Sequence, residues 1–247
     1  MAGPLLDFLL PTEPEALDLM ELGAVYVNEE RCLNPGRALA FGDRVRVHTS
    51  PRRFKIPTDL ERRVLSETSD YLVIEKPFDF PTEPTVDNLK ENLIEALSET
   101  RGAPFFLVHS LEIESSGLVL VAKSLSSQAS LKASFTLGRI ERTFAVFTET
   151  EVHSLNVARV IDCVEYAAET EVLAEGRQEW KCSQVLPRYF RTTLVSTRMR
   201  PGDIRKSLAD QGSPMIGDAK NGSSIGLTEL ATGRSAIALV TIALSPV

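Results

Sequence analysis

Phe105-Phe106-Leu107-Val108-His109-Ser110-Leu111-Glu112-Ile113-Glu114-Ser115-Ser116-Gly117-Leu118-Val119-Leu120-Val121-Ala122-Lys123-Ser124 is the least ordinary stretch of this chain. Phe105–Val108 and Leu118–Ala122 are apolar runs of strand composition. Between them stand His109, Glu112, Glu114, Ser115 and Ser116. Carboxylates and hydroxyls that interrupt a core hairpin cost desolvation unless they are bonded or face a cleft. Two readings follow. In one, the insert is a solvated surface turn closed by Ser115-Ser116-Gly117. In the other, a carboxylate lies at the floor of a cleft as nucleophile or base.

The flanking sequence sets the fold class. Tyr71–Ile74 is a short apolar strand that stops at Lys76-Pro77. Residues 85–99 carry Leu89, Leu93, Ile94 and Leu97 at helical spacing, and 125–137 also read as a helix. Residues 143–148 read as a strand, and several more follow between 157 and 197, with turns at Glu175-Gly176 and Leu186-Pro187. A helix at 204–211, a loop at 212–222 and an apolar strand at 236–244 complete the chain. Strands outnumber helices and do not alternate with them as βαβ units. That predicts an α+β domain over 64–247, built on a mixed, mainly antiparallel sheet. Residues 1–50 read as a small domain of their own. Prolines break its helical segments, Gly23 stops the second, and strands follow around Val25–Val27 and Val45–Val47 with a turn at Asn28-Glu29. A proline-bounded linker, 51–63, is locally basic through Arg52, Arg53 and Lys55.

Composition excludes several classes. The chain has 247 residues, 43% hydrophobic and 25% charged, which is neither disordered nor low-complexity. It has no uninterrupted apolar run of the roughly eighteen residues a membrane span needs. The N-terminus lacks a basic leader and breaks at Pro11 and Pro14, which argues against a secretory signal. Cys32, Cys163 and Cys182 are odd in number and scattered, as expected in a reducing cytoplasm. His48, His109 and His153 are too dispersed to suggest a metal site, and no phosphate-loop, HExxH or GxSxG motif is present. The net charge is −7, and residues 1–50 alone carry −4. A general nucleic-acid binder reads basic, so contact with RNA would need a local patch. Residues 188–206 offer one, with Arg188, Arg191, Arg198, Arg200, Arg205 and Lys206 against the single acid Asp203. Arg198 and Arg200 share a strand face. Such arginines pair with phosphate or with an active-site carboxylate, or they guard a solvated strand edge.

At these same segments the chain resembles the pseudouridine synthases of large-subunit rRNA and tRNA uridines that carry an HRLDxxTSG motif. His109-Ser110-Leu111-Glu112-Ile113-Glu114-Ser115-Ser116-Gly117 stands in the place of that motif. Tyr71–Pro77 is similar to the family's first strand and Lys-Pro turn, and Ile204–Ala209 with Gly212–Asp218 is similar to its downstream run. Gly23–Val47 resembles the small S4-type RNA-binding domain that often precedes such a core.

The resemblance implies isomerisation of uridine to pseudouridine in structured RNA, without metal or cofactor; a monomer is the default expectation, which no motif reports. It implies Glu112, Arg205 and Phe144 as the catalytic set: carboxylate, its partner and the platform for the base. His109, Ser110, Ser115, Arg200, Arg198 and Lys76 would bind substrate, and Arg52, Arg53 and Lys55 would offer a weak RNA track. Departures fall where the chemistry happens. Glu112 replaces the family's aspartate, Ser110 its arginine, Phe144 its tyrosine, and Gly202-Asp203 its His-Gln. Glutamate moves the carboxylate oxygens by about 1 Å, and a misplacement of that size can cost on the order of 100-fold in rate. Serine cannot replace an arginine that holds a flipped-out nucleotide. Three readings stand: a synthase with reduced activity; a catalytically inactive descendant that binds RNA or a protein partner; and a small-molecule enzyme using Glu112 and Glu114. In the bland alternative, Glu112–Arg205 is a structural ion pair, Asp218 and Lys220 form a turn, and Phe144 is core.

Overall fold

The computed structural model describes residues 4–156, 158–167, 172–175, 178–181, 188–197, 201–223 and 237–244. Packing divides the chain into two units, Met1–Ile56 with Glu83–Gly102, and Pro57–Thr82 with Ala103–Val247. The linear division into 1–50, 51–63 and 64–247 concerns modules of sequence, and these packing units are interleaved along the chain.

In the first unit, helices α1 (Leu5–Leu9) and α2 (Ala16–Leu22) precede strands β1 (Val25–Val27), β2 (Glu30–Arg31) and β3 (Val45–Val47). The strands pair antiparallel in the order β2-β1-β3. Asn28 and Glu29 both have positive φ, 52° and 66°, as a two-residue hairpin turn requires. Leu5, Leu9, Ala16, Leu19, Met20, Val25, Val27 and Cys32 form the core. Residues 83–102 join this unit through hydrogen bonds. Tyr26 Oη donates to the Val86 carbonyl at 2.6 Å, and Arg31 donates to that of Thr85 at 2.6 Å. The helix expected over 85–99 is α3, Leu93–Arg101, and starts later than its periodicity predicts. The reason is local. Asn88 Oδ1 accepts from the Lys90 and Glu91 amides, and Asn92 caps the helix by accepting from Glu95 N. Asparagine side chains compete for the backbone in this way and delay helix formation.

The second unit holds β4 (Val64–Glu67), β5 (Tyr71–Lys76), β6 (Phe106–Leu107), β7 (Ser115–Ala122), helix α4 (Leu125–Thr136) and β8 (Ile140–Thr148). It continues with β9 (Arg159–Ala167), β10 (Val172–Glu175), β11 (Gln178–Lys181), β12 (Arg188–Ser196), helix α5 (Pro201–Asp210) and β13 (Ile237–Leu244). The main sheet runs β4-β5-β7-β13-β8-β12-β9, with β6 also on β7 and β10–β11 as a separate hairpin. Among the described residues, β13–β7 alone is parallel; the other pairings in that sheet are antiparallel. The expected mixed, mainly antiparallel α+β core is what forms. Among the described residues, no helix is long and apolar enough to cross a membrane.

Strand β7 lies inside the sheet and is buried almost throughout, which explains the apolar run Leu118–Ala122. It also begins earlier than that run. Ser115 and Ser116 are buried and open the strand, so Ser115-Ser116-Gly117 is not the close of a solvated turn. Gly117 has φ 109°, a conformation strained for any residue with a Cβ, and it pairs there with Lys76 of β5 and Leu239 of β13. Helix α4 covers one face, where Phe135 and Leu131 pack on Val108, Leu120, Ala122 and Ile140.

Candidate active site

The segment between β6 and β7 is fastened on both sides of Glu112. Thr82 Oγ1 donates to the Leu111 carbonyl at 2.7 Å and accepts from the Leu111 amide at 3.2 Å. Lys76 Nζ donates to the carbonyls of Phe80 at 2.6 Å, Pro77 at 2.9 Å and Ile113 at 3.3 Å. The Glu112 carbonyl accepts from Ser115 N at 3.0 Å. Residues 110–114 are therefore held by tertiary hydrogen bonds, although they belong to no strand. Lys76 is fully buried, and burial pulls its ammonium down to about 7 against the opposing pull of Glu114 and Asp79.

From that segment Glu112 reaches the N-terminal half of α5. Arg205 Nη1 donates to Glu112 Oε2 at 2.5 Å. The other edge of the guanidinium makes a two-point contact with Asp218: Nε to Oδ2 and Nη2 to Oδ1, both at 2.9 Å. Asp218 is completely buried, and its carboxylate also accepts from Asn221 Nδ2 at 2.8 Å and Asn221 N at 3.3 Å. It is placed by the loop 212–223, whose backbone meets β8 through Ile216 N to Phe147 O and folds back through Ser223 N to Asp218 O. The hydrogen bond to Asp218, with further support from Glu112, raises Arg205 above the ordinary arginine range against the cost of burial.

The electrostatics follow from this order of partners. Asp218 already balances Arg205, so the group Glu112–Arg205–Asp218 carries one net negative charge. Arg205 thus orients Glu112 more than it neutralises it. The Glu112 side chain is 37% exposed, whereas that of Asp218 is 0%. Oε2 is committed to Arg205; Oε1 has no hydrogen-bond partner among the described residues. A carboxylate held by one oxygen and unbonded at the other can attack a carbon centre or remove a proton.

The remaining expected site residues fall elsewhere. His109 Nε2 accepts from Leu120 N at 3.1 Å, and its ring packs on Phe135 at 5.1 Å. Burial first, and the Arg142 guanidinium second, hold the imidazole down at about 3, so it is neutral. Arg142 lies 5.3 Å from the Phe135 ring centre and 5.6 Å from that of Phe144. Phe144 is 0% exposed on β8. His109, Phe135, Arg142 and Phe144 thus form an aromatic–cationic group, distinct in its partners from the carboxylate group at Arg205. Ser110 is exposed and Ser115 buried. Arg198 and Arg200 lie outside the described residues. In the first unit Arg53 pairs with Glu91 at 2.6 Å, Arg52 lies 4.9 Å from the Phe54 ring centre, and Lys55 is exposed.

Three residues of this site escaped the sequence reading. Asp218 looked like a turn former; the available signal was an acid directly after the apolar Met215-Ile216-Gly217 run. Thr82 carried none. Gly202 was noted only as a departure from the family pattern, and its place beside Glu112 follows from the packing of α5: a Cβ there would lie 2.8 Å from Glu112 Oε1.

Comparison with known proteins shows what the chain is similar to. Residues 70–235 match the family model described as RNA pseudouridylate synthase. The chain is 27% identical over 222 residues to an uncharacterized RNA pseudouridine synthase of Aquifex aeolicus strain VF5, covering 83% of this chain and 70% of the relative. It is 26% identical over 210 residues to ribosomal large subunit pseudouridine synthase D of Xanthomonas campestris pv. campestris, covering 80% and 63%. An uncharacterized RNA pseudouridine synthase of Mycoplasma pneumoniae is 29% identical over 141 residues, and there the match spans 54% of this chain and under half of the relative, 46%. The solved structure of human RNA Pseudouridylate Synthase Domain Containing 1 is similar in fold, with TM-score 0.50 and 16% identity over 74% of this chain and 82% of that one.

Proposed function

Because the chain belongs to the RNA pseudouridylate synthase family, we propose that it converts uridine to pseudouridine in structured RNA, ribosomal or transfer, with Glu112 in the role of the reacting carboxylate. In that reaction the N1–C1′ bond breaks, the uracil turns, C5 joins C1′, N1 gains a proton and C5 loses one to solvent. Glu112 either attacks C1′ or removes the C2′ proton, and Arg205 holds it in place with Asp218 behind. The observation that carries this reading is the partly exposed Glu112 carboxylate bound through Oε2 to Arg205 at 2.5 Å. The longer side chain and the loss of an arginine at Ser110 make the expected rate lower than that of an aspartate-bearing site by on the order of 100-fold.

Lys76, Ser115 and His109 serve in this reading by holding the Glu112 segment and β7, and Ser110 is the candidate that meets substrate directly. Residues 1–50 act as an S4-like module and 64–247 as the synthase core. The linker 51–63 offers Lys55 and, less effectively, Arg52 and Arg53 to phosphate. The protein works as a monomer in the cytoplasm.

A second reading has its own support. The complete burial of Phe144 and the net charge of −7 favour a non-catalytic descendant that binds RNA or a protein partner. Tritium release from C5-labelled uridine in unmodified ribosomal and transfer RNA separates the two. Release by the wild type that vanishes in Glu112→Ala supports the isomerase. Absence of release from both RNA classes at high protein concentration supports the binding descendant.

A further inference from the structure

Gly202 is the second residue of α5, and its backbone is not in the left-handed region that demands glycine. Alanine would suit the helix better there. What the position lacks is space. A Cβ on Gly202 would stand 2.8 Å from Glu112 Oε1 and 3.8 Å from its carboxyl carbon. The first distance is shorter than real Cβ contacts allow, so one side must move. The helix is anchored in the core by Ile204 and Leu208, both fully buried, and through Arg205 to Asp218. Glu112 is the flexible partner and would be the one to yield. Turning its carboxylate away from position 202 would disturb the contact of Oε2 with Arg205 at 2.5 Å.

We propose that Gly202 is a positioning residue for Glu112: the missing side chain is the space that lets this glutamate stay on Arg205 with Oε1 open. Glu112 and Gly202 are then a matched pair. The length of the acid and the bareness of the helix turn belong together. The kinetic part of this inference rests on the isomerase reading above; the steric part does not.

The test is a double-mutant cycle in the full chain with G202A, E112D and the combined variant, read in two ways. Gly-to-Ala in a helix normally stabilises, which for a chain of this size is a rise in Tm of about 1–3 °C. The expected rise is present in the E112D background, where the shorter acid leaves room, and absent or reversed when Glu112 is retained. In parallel, the 15N-labelled Arg205 guanidinium resonance moves on G202A alone and not on adding G202A to E112D. Single-turnover tritium release falls by about 100-fold in G202A with RNA affinity unchanged, and adding G202A to E112D costs nothing further. Equal Tm changes in both backgrounds, with an unmoved Arg205 resonance, overturn the proposal. A wild type without tritium release defeats the isomerase reading alone, since Tm and resonance still decide whether the pair is coupled.

Discussion

Glu112→Gln keeps the shape of the side chain and its bond from Arg205 but removes the charge that the reaction needs. Tritium release is expected to disappear while the melting temperature barely changes, because the carboxylate is partly solvated and Asp218 still balances the buried Arg205 guanidinium. Asp218→Ala behaves oppositely in its stability signature. It strips two hydrogen bonds from a buried guanidinium and leaves it only the partly exposed Glu112; breaking a buried pair by removing one partner costs about 3–5 kcal/mol, measurable by urea denaturation. His109 supplies a third check at this scale. It is held neutral down to about 3 in the folded state, against an ordinary value of 6.5. Between those values the unfolded chain binds the proton and the folded one does not. Stability therefore falls as pH drops from about 6.5 to 3, by at most about 1.4 kcal/mol per pH unit. His109→Gln is expected to flatten that part of the pH–stability curve. A curve identical to wild type across this window would mean the imidazole is not buried neutral.

The segment carrying Glu112 has no ladder of its own, so its order depends on Thr82 and Lys76. Thr82→Val keeps the volume and removes both hydrogen bonds to Leu111, leaving a buried amide and carbonyl short of partners. The expected loss is about 1–3 kcal/mol in denaturation, with a fall in tritium release beyond what the loss of folded protein explains. Lys76 is depressed from 10.5 to about 7 by burial. Below about pH 7 both states are protonated and the full cost of a buried ammonium is present. Between about 7 and 10.5 only the unfolded chain binds the extra proton, so this contribution to stability rises with pH. Lys76→Met removes the rise, and the difference between the two proteins across that window measures it. The sequence reading found most elements here, because apolar runs and helical spacing are local. It set the start of α3 several residues early, since Asn88 and Asn92 act through hydrogen bonds that no hydrophobic pattern encodes. It left Ser115-Ser116 available as a surface turn, since two serines carry no sign of the β13 backbone that lies beside them.

At the scale of the whole molecule, a net charge of −7 sets the terms for any encounter with RNA. Binding through a few local cations gives a shallow salt dependence, at about 0.7–0.9 units of log–log slope per phosphate neutralised. If the linker is the RNA track, Lys55→Ala removes about one such contact. Arg53→Ala removes less, because Glu91 already partners Arg53 at 2.6 Å. Equal slopes for wild type and Lys55→Ala, in filter binding across a salt series, would remove the linker from the interface.

The fold class and the pairing of Glu112 with Arg205 were legible in the residues and in the order of the motifs. Alternating and continuous apolar runs report burial directly, and a motif keeps its acid and its arginine at recognisable places along the chain. The role of Asp218 behind Arg205, the capture of Leu111 by Thr82, the withdrawal of His109 into the α4 face and the closeness of Gly202 to Glu112 belong to the tertiary structure alone. Each joins residues far apart in the chain, or sends a side chain to one face of a segment without regular period. Such contacts depend on which loop lands beside which helix turn, and that is settled only when the sheet has formed.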